Sequence, residues 1–168
     1  MSLRATVRQE RNIPPSILSL STFDKPDYVD LFTVSPIPAD WSPEEWAGAG
    51  LRDAAGAAGQ FVWRVVLGLR LESDRSSNHI AGWRIDGRDH GWLRLEASSW
   101  FLTAQIVLHT ADEKLSVATF IRYDRLPAAL VWPRVAVAHR NAMPRLLRHA
   151  VRSRRDQHVR PTSHEVET

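Results

Sequence analysis

The last third of the chain constrains the fold more than any other feature, because apolar residues recur there at helical spacing over about 30 positions. The residues on this stripe are Val131, Val135, Ala138, Ala142, Leu146 and Ala150. The spacing predicts a long amphipathic helix from Leu126 to Arg155 that must pack its apolar face on another layer. Pro133 and Pro144 each remove a backbone donor, so we expect a kink or a broken first turn.

Upstream of this helix the apolar residues repeat every second position. From His79 onward the pattern predicts a hairpin with a turn at Gly87–Gly91, and two further strands at Leu102–His109 and Leu115–Tyr123, joined by a turn at Thr110–Lys114. An earlier segment, DYVDLFTVS at Asp27–Ser35, also reads as a strand. Alternation of this kind is typical of an antiparallel sheet with one buried face.

Between the first strand and the later ones the sequence predicts a two-helix insertion. Ser42 suits a helix N-cap, Pro43 the first turn, and Glu45 the third position of a capping box. Glycines from Gly56 to Gly59 are expected to break this helix before a second one over Gln60–Leu69.

These elements predict one α+β domain, since 168 residues suffice for a single buried core. We place the domain at residues 27–155, after an extended lead-in over 1–26 and before a flexible polar tail over 156–168. The chain has no cysteine, and Met1–Ser21 lacks the apolar core of a signal peptide, so we expect a cytoplasmic protein. No segment reaches the roughly 18 consecutive apolar residues of a membrane span.

The net charge of +3 comes mostly from arginine, and the arginines crowd the end of the predicted helix. Cations there complement the helix dipole, which is our preferred interpretation, although such a cluster can also attract phosphate. Nucleic acid is therefore a disfavoured partner, whereas a homodimer stays open.

Three stretches resemble a bacterial domain-of-unknown-function family within the START-like superfamily, also called helix-grip, SRPBCC or polyketide cyclase-like. They are DYVDLFTVS, FVWRVVLGLRL, and YDR followed by LVWPRVAVAHRNAMPRLL, together spanning roughly residues 27–153. Trp132 followed by His139 is the most specific part of the match. The resemblance implies a helix-grip fold, with the C-terminal helix packed across the sheet over a hydrophobic cavity. It brings no established catalytic residue.

His139 is the candidate chemical group, because it shares the apolar stripe and an imidazole can serve as a hydrogen-bonding group or as an acid or base. It could orient a polar ligand group, act as an acid or base, or be a structural histidine that is hydrogen-bonded to a carbonyl or to a sheet side chain such as Ser99 or Gln105. The candidate ligand-binding residues are Trp83, Phe120, Trp132, Val135, His139 and Met143. A filled core lined by these same side chains is the competing interpretation.

Three functions remain open at this point. A small hydrophobic or lipid-like molecule held between sheet and helix is favoured over a cyclase or dehydratase that uses His139, and over a non-catalytic interaction module. The sequence contains no metal-ligand spacing, nucleophile elbow or glycine-rich phosphate loop, so we predict no metal and no cofactor.

Overall fold

An antiparallel sheet forms the body of the protein. The computed structural model describes residues 4–73 and 76–159, and within them seven strands occur in the order β1-β2-β7-β6-β5-β4-β3. Their bounds are β1 Thr6–Glu10, β2 Tyr28–Ser35, β3 His79–Ile80, β4 Trp83–Asp89, β5 Trp92–Ser98, β6 Leu102–Ala111 and β7 Lys114–Tyr123. With a long C-terminal helix, this confirms the predicted α+β class and antiparallel sheet, an arrangement compatible with helix-grip.

Strands β3 to β7 form a meander of consecutive hairpins, and their turns are shorter than predicted. Only His90 and Gly91 separate β4 from β5, and only Asp112 and Glu113 separate β6 from β7. The last two residues have φ of 50° and 55°, as a two-residue hairpin of the type I′ kind requires. The alternating strands extend to these tight turns, so the longer turns predicted from composition are wrong.

A helical region (residues 43–66) follows β2. It comprises α2 Pro43–Ala47, a π-helical segment Gly48–Ala54, α3 Gly56–Phe61 and a second π-helical segment Val62–Val66. The predicted capping box is confirmed, since the Ser42 hydroxyl accepts from the Glu45 amide at 3.2 Å and the Glu45 carboxylate from the Ser42 amide at 2.8 Å. The interruption predicted over Gly56–Gly59 occurs at the start of that region, and α3 begins at Gly56 instead of at Gln60. The interruption lies at residues 55–56, where Gly56 has φ of +50°, and the helical region ends at Val66.

The C-terminal helix, α4, runs from Pro127 to Val159 and is continuous through both internal prolines. The predicted break in its first turn is therefore wrong. Pro133 has no N–H group, so the carbonyl of Ala129 lacks its usual helical donor. Both residues are exposed, so water can donate to that carbonyl instead. The buried face differs from the predicted stripe: Ala138 and Ala142 are exposed, and the buried residues are Ala128, Trp132, Ala136, Met143, Leu147, Ala150 and Val151.

The N-terminal residues belong to the domain. Strand β1 pairs with β2, so the sheet begins before the boundary predicted at residue 27. A short helix, α1 (Pro15–Leu18), then leads Ile17 and Phe23 onto the sheet face that points away from α4. At the other end, residues 156–159 continue α4 instead of starting a tail, and residues 160–168 lie outside the described residues.

The central strands β2, β7 and β6 are buried on both faces, and strand alternation assigns each residue to one face. The inner face, toward α4 and the helical region, carries residues such as Phe32, Val117 and Ile121. The outer face carries a smaller cluster of Ile17, Phe23, Leu31, Val107, Ala118 and Phe120. No helix in the described residues has the length and hydropathy needed to cross a membrane.

Candidate functional site

A cavity of about 270 Å³ lies between the inner face of the sheet, the helical region and α4. Five of the six predicted ligand-binding residues line it: Trp83, Trp132, Val135, His139 and Met143. The space between sheet and helix is thus not completely filled by side chains. The alternative of a solid core at this position does not describe the structure.

The prediction that Phe120 binds the ligand is wrong. This residue is fully buried on the outer face of the sheet, in the same cluster as Ile17 and Phe23. Strand β7 directs Val117, Thr119 and Ile121 toward the cavity, so the residue between the last two must point the other way. The prediction relied on the apolar character of Phe120 and did not establish which face of strand β7 it occupies.

The walls of the cavity combine large rings with small side chains. Trp63, Trp83 and Trp132 border the space, and the other apolar lining residues are Leu51, Ala55, Ala58, Gly59, Val62, Leu67, Ala104, Ile106, Val117, Ile121, Val135, Ala138, Ala142, Met143 and Leu146. Gly59 has a clear steric role, since a Cβ there would lie 2.7 Å from the Ala55 Cβ. The helices contribute small residues to this lining, namely Ala55, Ala58, Gly59, Ala138 and Ala142.

One end of the cavity is polar. The His139 Nε2 lies 3.1 Å from Oδ2 of Asp30 and 3.2 Å from Oγ1 of Thr119. Asp30 on β2 and Thr119 on β7 are directly paired across the two strands, so the sheet register itself places both groups beneath the helix. Among the described lining residues, His139 and Thr119 supply the polar side chains other than the indole rings.

Asp30 is the buried charge behind this end, with only 4% of its surface exposed. Its Oδ2 also accepts a 2.6 Å hydrogen bond from the Tyr28 hydroxyl, and that hydroxyl accepts from Arg140 at 3.3 Å. Within the described part of the chain, the other carboxylate oxygen, Oδ1, is buried and has no hydrogen-bond partner. A buried carboxylate is thus held between a phenol and an imidazole, with an arginine one contact further out.

This arrangement constrains the chemistry of His139. When neutral, the imidazole must keep its proton on Nε2 to donate to the Asp30 carboxylate, which leaves Nδ1 as the basic nitrogen. A carboxylate-held imidazole can orient a polar ligand group or transfer a proton. The predicted contact of His139 with a sheet side chain is present, but the partners are Asp30 and Thr119. The two examples that the sequence suggested are wrong: Ser99 bonds within its own turn, and Gln105 faces outward to Ser21, Thr22 and Glu96.

Tyr28 makes the stability of the protein sensitive to alkaline pH. Burial raises the pKa of the Tyr28 phenol above its usual value, and the hydrogen bond to Asp30 and the charge of Asp30 raise it further, while Arg140 opposes the shift. The neutral phenol is therefore favoured in the folded state. Its contribution to the free energy of unfolding is complete below about pH 10, the usual tyrosine pKa, and is lost as the pH rises above that value.

We therefore expect the free energy of unfolding to fall as the pH rises from about 10 to about 11.5, and to fall less steeply in Tyr28→Phe. Urea unfolding across this range measures both slopes. Tyr123, whose pKa burial and Asp27 also raise, accounts for part of the remaining slope, so Tyr123→Phe is the matched comparison. Identical slopes for wild type and Tyr28→Phe would contradict the assignment.

Sequence reasoning missed Asp30, Tyr28 and Thr119. A usable signal was present in DYVDLFTVS, because Tyr28, Asp30 and Phe32 occupy every second position and therefore share one face. A carboxylate on a face that otherwise carries aromatic and aliphatic residues requires a partner. The pairing register that supplies Thr119 was not predictable from this segment alone.

At the arginine-rich end of α4, Arg154 makes specific contacts with the turn before α2. The Arg154 guanidinium stacks on the Trp41 ring at 4.0 Å and donates to the Asp40 carboxylate at 2.9 Å. This arginine therefore ties the end of α4 to the turn before α2. No group of three or more potential metal ligands occurs in the part of the chain that the structure describes.

No family model, curated protein or solved structure matches this chain.

Proposed function

We propose that this protein is a START-like, helix-grip protein that binds a small hydrophobic or lipid-like molecule between its sheet and α4. The order of elements supports the fold assignment: a strand, a helical region, a meander and a long C-terminal helix. The two-helix form of the insertion belongs to the same proposal. It is supported by the single interruption at residues 55–56.

The observation that carries the function is the apolar cavity with one polar end. Its volume of about 270 Å³ lies just below the roughly 300–1,000 Å³ typical of small-molecule sites. Such sites combine mainly apolar walls with a few polar groups that fix orientation. His139 and Thr119 supply those groups here, and Asp30 holds the imidazole in place.

Filling the cavity tests this function. Ala142 lines the cavity from α4 and is exposed at its opening, so a tryptophan there should occupy ligand space with little cost to the fold. We expect native mass spectrometry of freshly purified protein to show a bound small molecule on the wild type and much less on Ala142→Trp. Ala129→Trp is the control, since Ala129 is also exposed on α4 but is not among the described lining residues.

Bound mass on the wild type and on Ala129→Trp, together with the bare polypeptide mass for Ala142→Trp, would support the proposal. Three proteins that all have the bare polypeptide mass would contradict it. Equal bound mass on all three would place the ligand outside the cavity, and would also contradict it.

A further inference from the structure

We infer that the ligand is a compact, uncharged ring compound of about one to two fused rings that carries a hydroxyl group, and not a long-chain lipid or an organic acid. This inference rests on the proposed function and narrows it to one chemical class. Three properties of the cavity lead to it: its volume, the charges around it, and the hydrogen-bonding groups at its polar end.

The volume limits the size of the ligand. An apolar cavity of about 150 Å³ holds one benzene molecule. By proportion, 270 Å³ accommodates roughly two fused rings, or a skeleton of about eleven carbon atoms. The tryptophan rings that border the space present flat walls, which pack well on flat ligands. A long acyl chain would have to leave much of its length outside.

The charged groups around the cavity disfavour a ligand that carries a carboxylate. No lysine or arginine is among the described residues that line the cavity. The Asp30 carboxylate lies directly behind His139 and repels a second anion, and any positive charge on the imidazole is already paired with it at 3.1 Å. Arg140 is directed at Tyr28. A ligand carboxylate would therefore lose its hydration without gaining a cation, which is costly in an apolar site.

The polar end suits a hydroxyl group. Thr119 can donate or accept a hydrogen bond, and the basic Nδ1 of a neutral His139 accepts one. A ligand hydroxyl has both capacities, so it can serve as donor to one group and acceptor from the other. A hydrocarbon would leave both groups without a ligand partner, whereas an ammonium group would have to be buried in a cavity that has no carboxylate among its described lining residues.

Isothermal titration calorimetry with three probes tests the class. The probes are 2-naphthol, its anionic analogue 2-naphthoate, and monomeric palmitoyl lysophosphatidylcholine. We expect 2-naphthol to bind at least about tenfold more tightly than either of the others. Thr119→Val should weaken 2-naphthol binding roughly three- to tenfold. Thr33→Val is the matched control, because Thr33 is a buried threonine on β2 that faces outward to Glu10, and it should leave binding unchanged.

Two results would overturn the inference while leaving a binding function intact. The first is 2-naphthoate or the lysophospholipid binding as tightly as 2-naphthol, and the second is an equal loss of 2-naphthol binding in both threonine variants. Failure of all three probes to bind would also overturn it. In that case the mass measurements on Ala142→Trp decide separately whether the proposed function falls as well.

Discussion

Asp30→Ala is expected to lower the free energy of unfolding by about 3–5 kcal/mol, the usual cost of removing one partner from a buried ion pair. The carboxylate is almost completely buried and serves the Tyr28 hydroxyl and His139 at once. Its removal leaves a phenol and an imidazole without their acceptor inside an apolar layer, and also creates a small cavity. Urea unfolding at neutral pH measures the loss.

A double-mutant cycle separates the interaction between Asp30 and His139 from the effect of each side chain on packing. Asp30→Leu and His139→Leu should each destabilise, whereas the double variant should be more stable than the sum of the two losses predicts, because apolar replacement of both partners removes the unpaired charge. Asp24→Ala replaces an exposed carboxylate and should change the stability by less than about 0.5 kcal/mol. Strict additivity of the two leucine variants would show that Asp30 and His139 are not coupled.

The repeating elements of this fold were predictable because periodicity reports burial directly. The period-two segments became β4 to β7, and the capping box at Ser42 marked the start of α2. His139 and Trp132 were placed on the inward side of α4 for the same reason. These are local consequences of which side of an element must avoid water.

The site itself depended on relations between distant segments. The partner of His139 comes from β2, more than a hundred residues earlier, through the pairing of Asp30 with Thr119 on β7. Phe120 was assigned to the wrong face because a shift of one residue reverses a strand's orientation. The buried side of α4 likewise differed from the predicted stripe, since the helical region covers one flank and leaves Ala138 and Ala142 at an opening.

Residue patterns alone did not distinguish a cavity from a filled core, and only the family resemblance implied a cavity. Filled and hollow cores use the same apolar residues, and the difference here comes from small side chains that meet in space. Ala55 and Gly59 lie on the helical region, Ala104 on β6 and Ala142 on α4. Their proximity is a property of the tertiary packing, so composition and spacing did not reveal it.

Trp132→Ala is expected to lower the free energy of unfolding by about 3–5 kcal/mol and to abolish ligand binding. The indole is 3% exposed, meets the Tyr28 ring edge-on at a centroid distance of 5.2 Å, and lies 5.9 Å from the His139 ring. Removing it deletes one wall of the cavity and the support of the polar end together. Trp100→Ala, at a ring that is 55% exposed, should cost less than about 1 kcal/mol.

Free indole separates loss of the wall from general misfolding, because a new apolar cavity can be refilled by a ligand of matching shape. Indole should raise the melting temperature of Trp132→Ala more than that of the wild type or of Trp100→Ala. A rise of equal size in all three proteins would indicate binding elsewhere. No rise in Trp132→Ala, combined with a wild-type-like melting temperature, would show that Trp132 does not support the site, and the cavity wall would then have to be assigned to Trp63 and Trp83 alone.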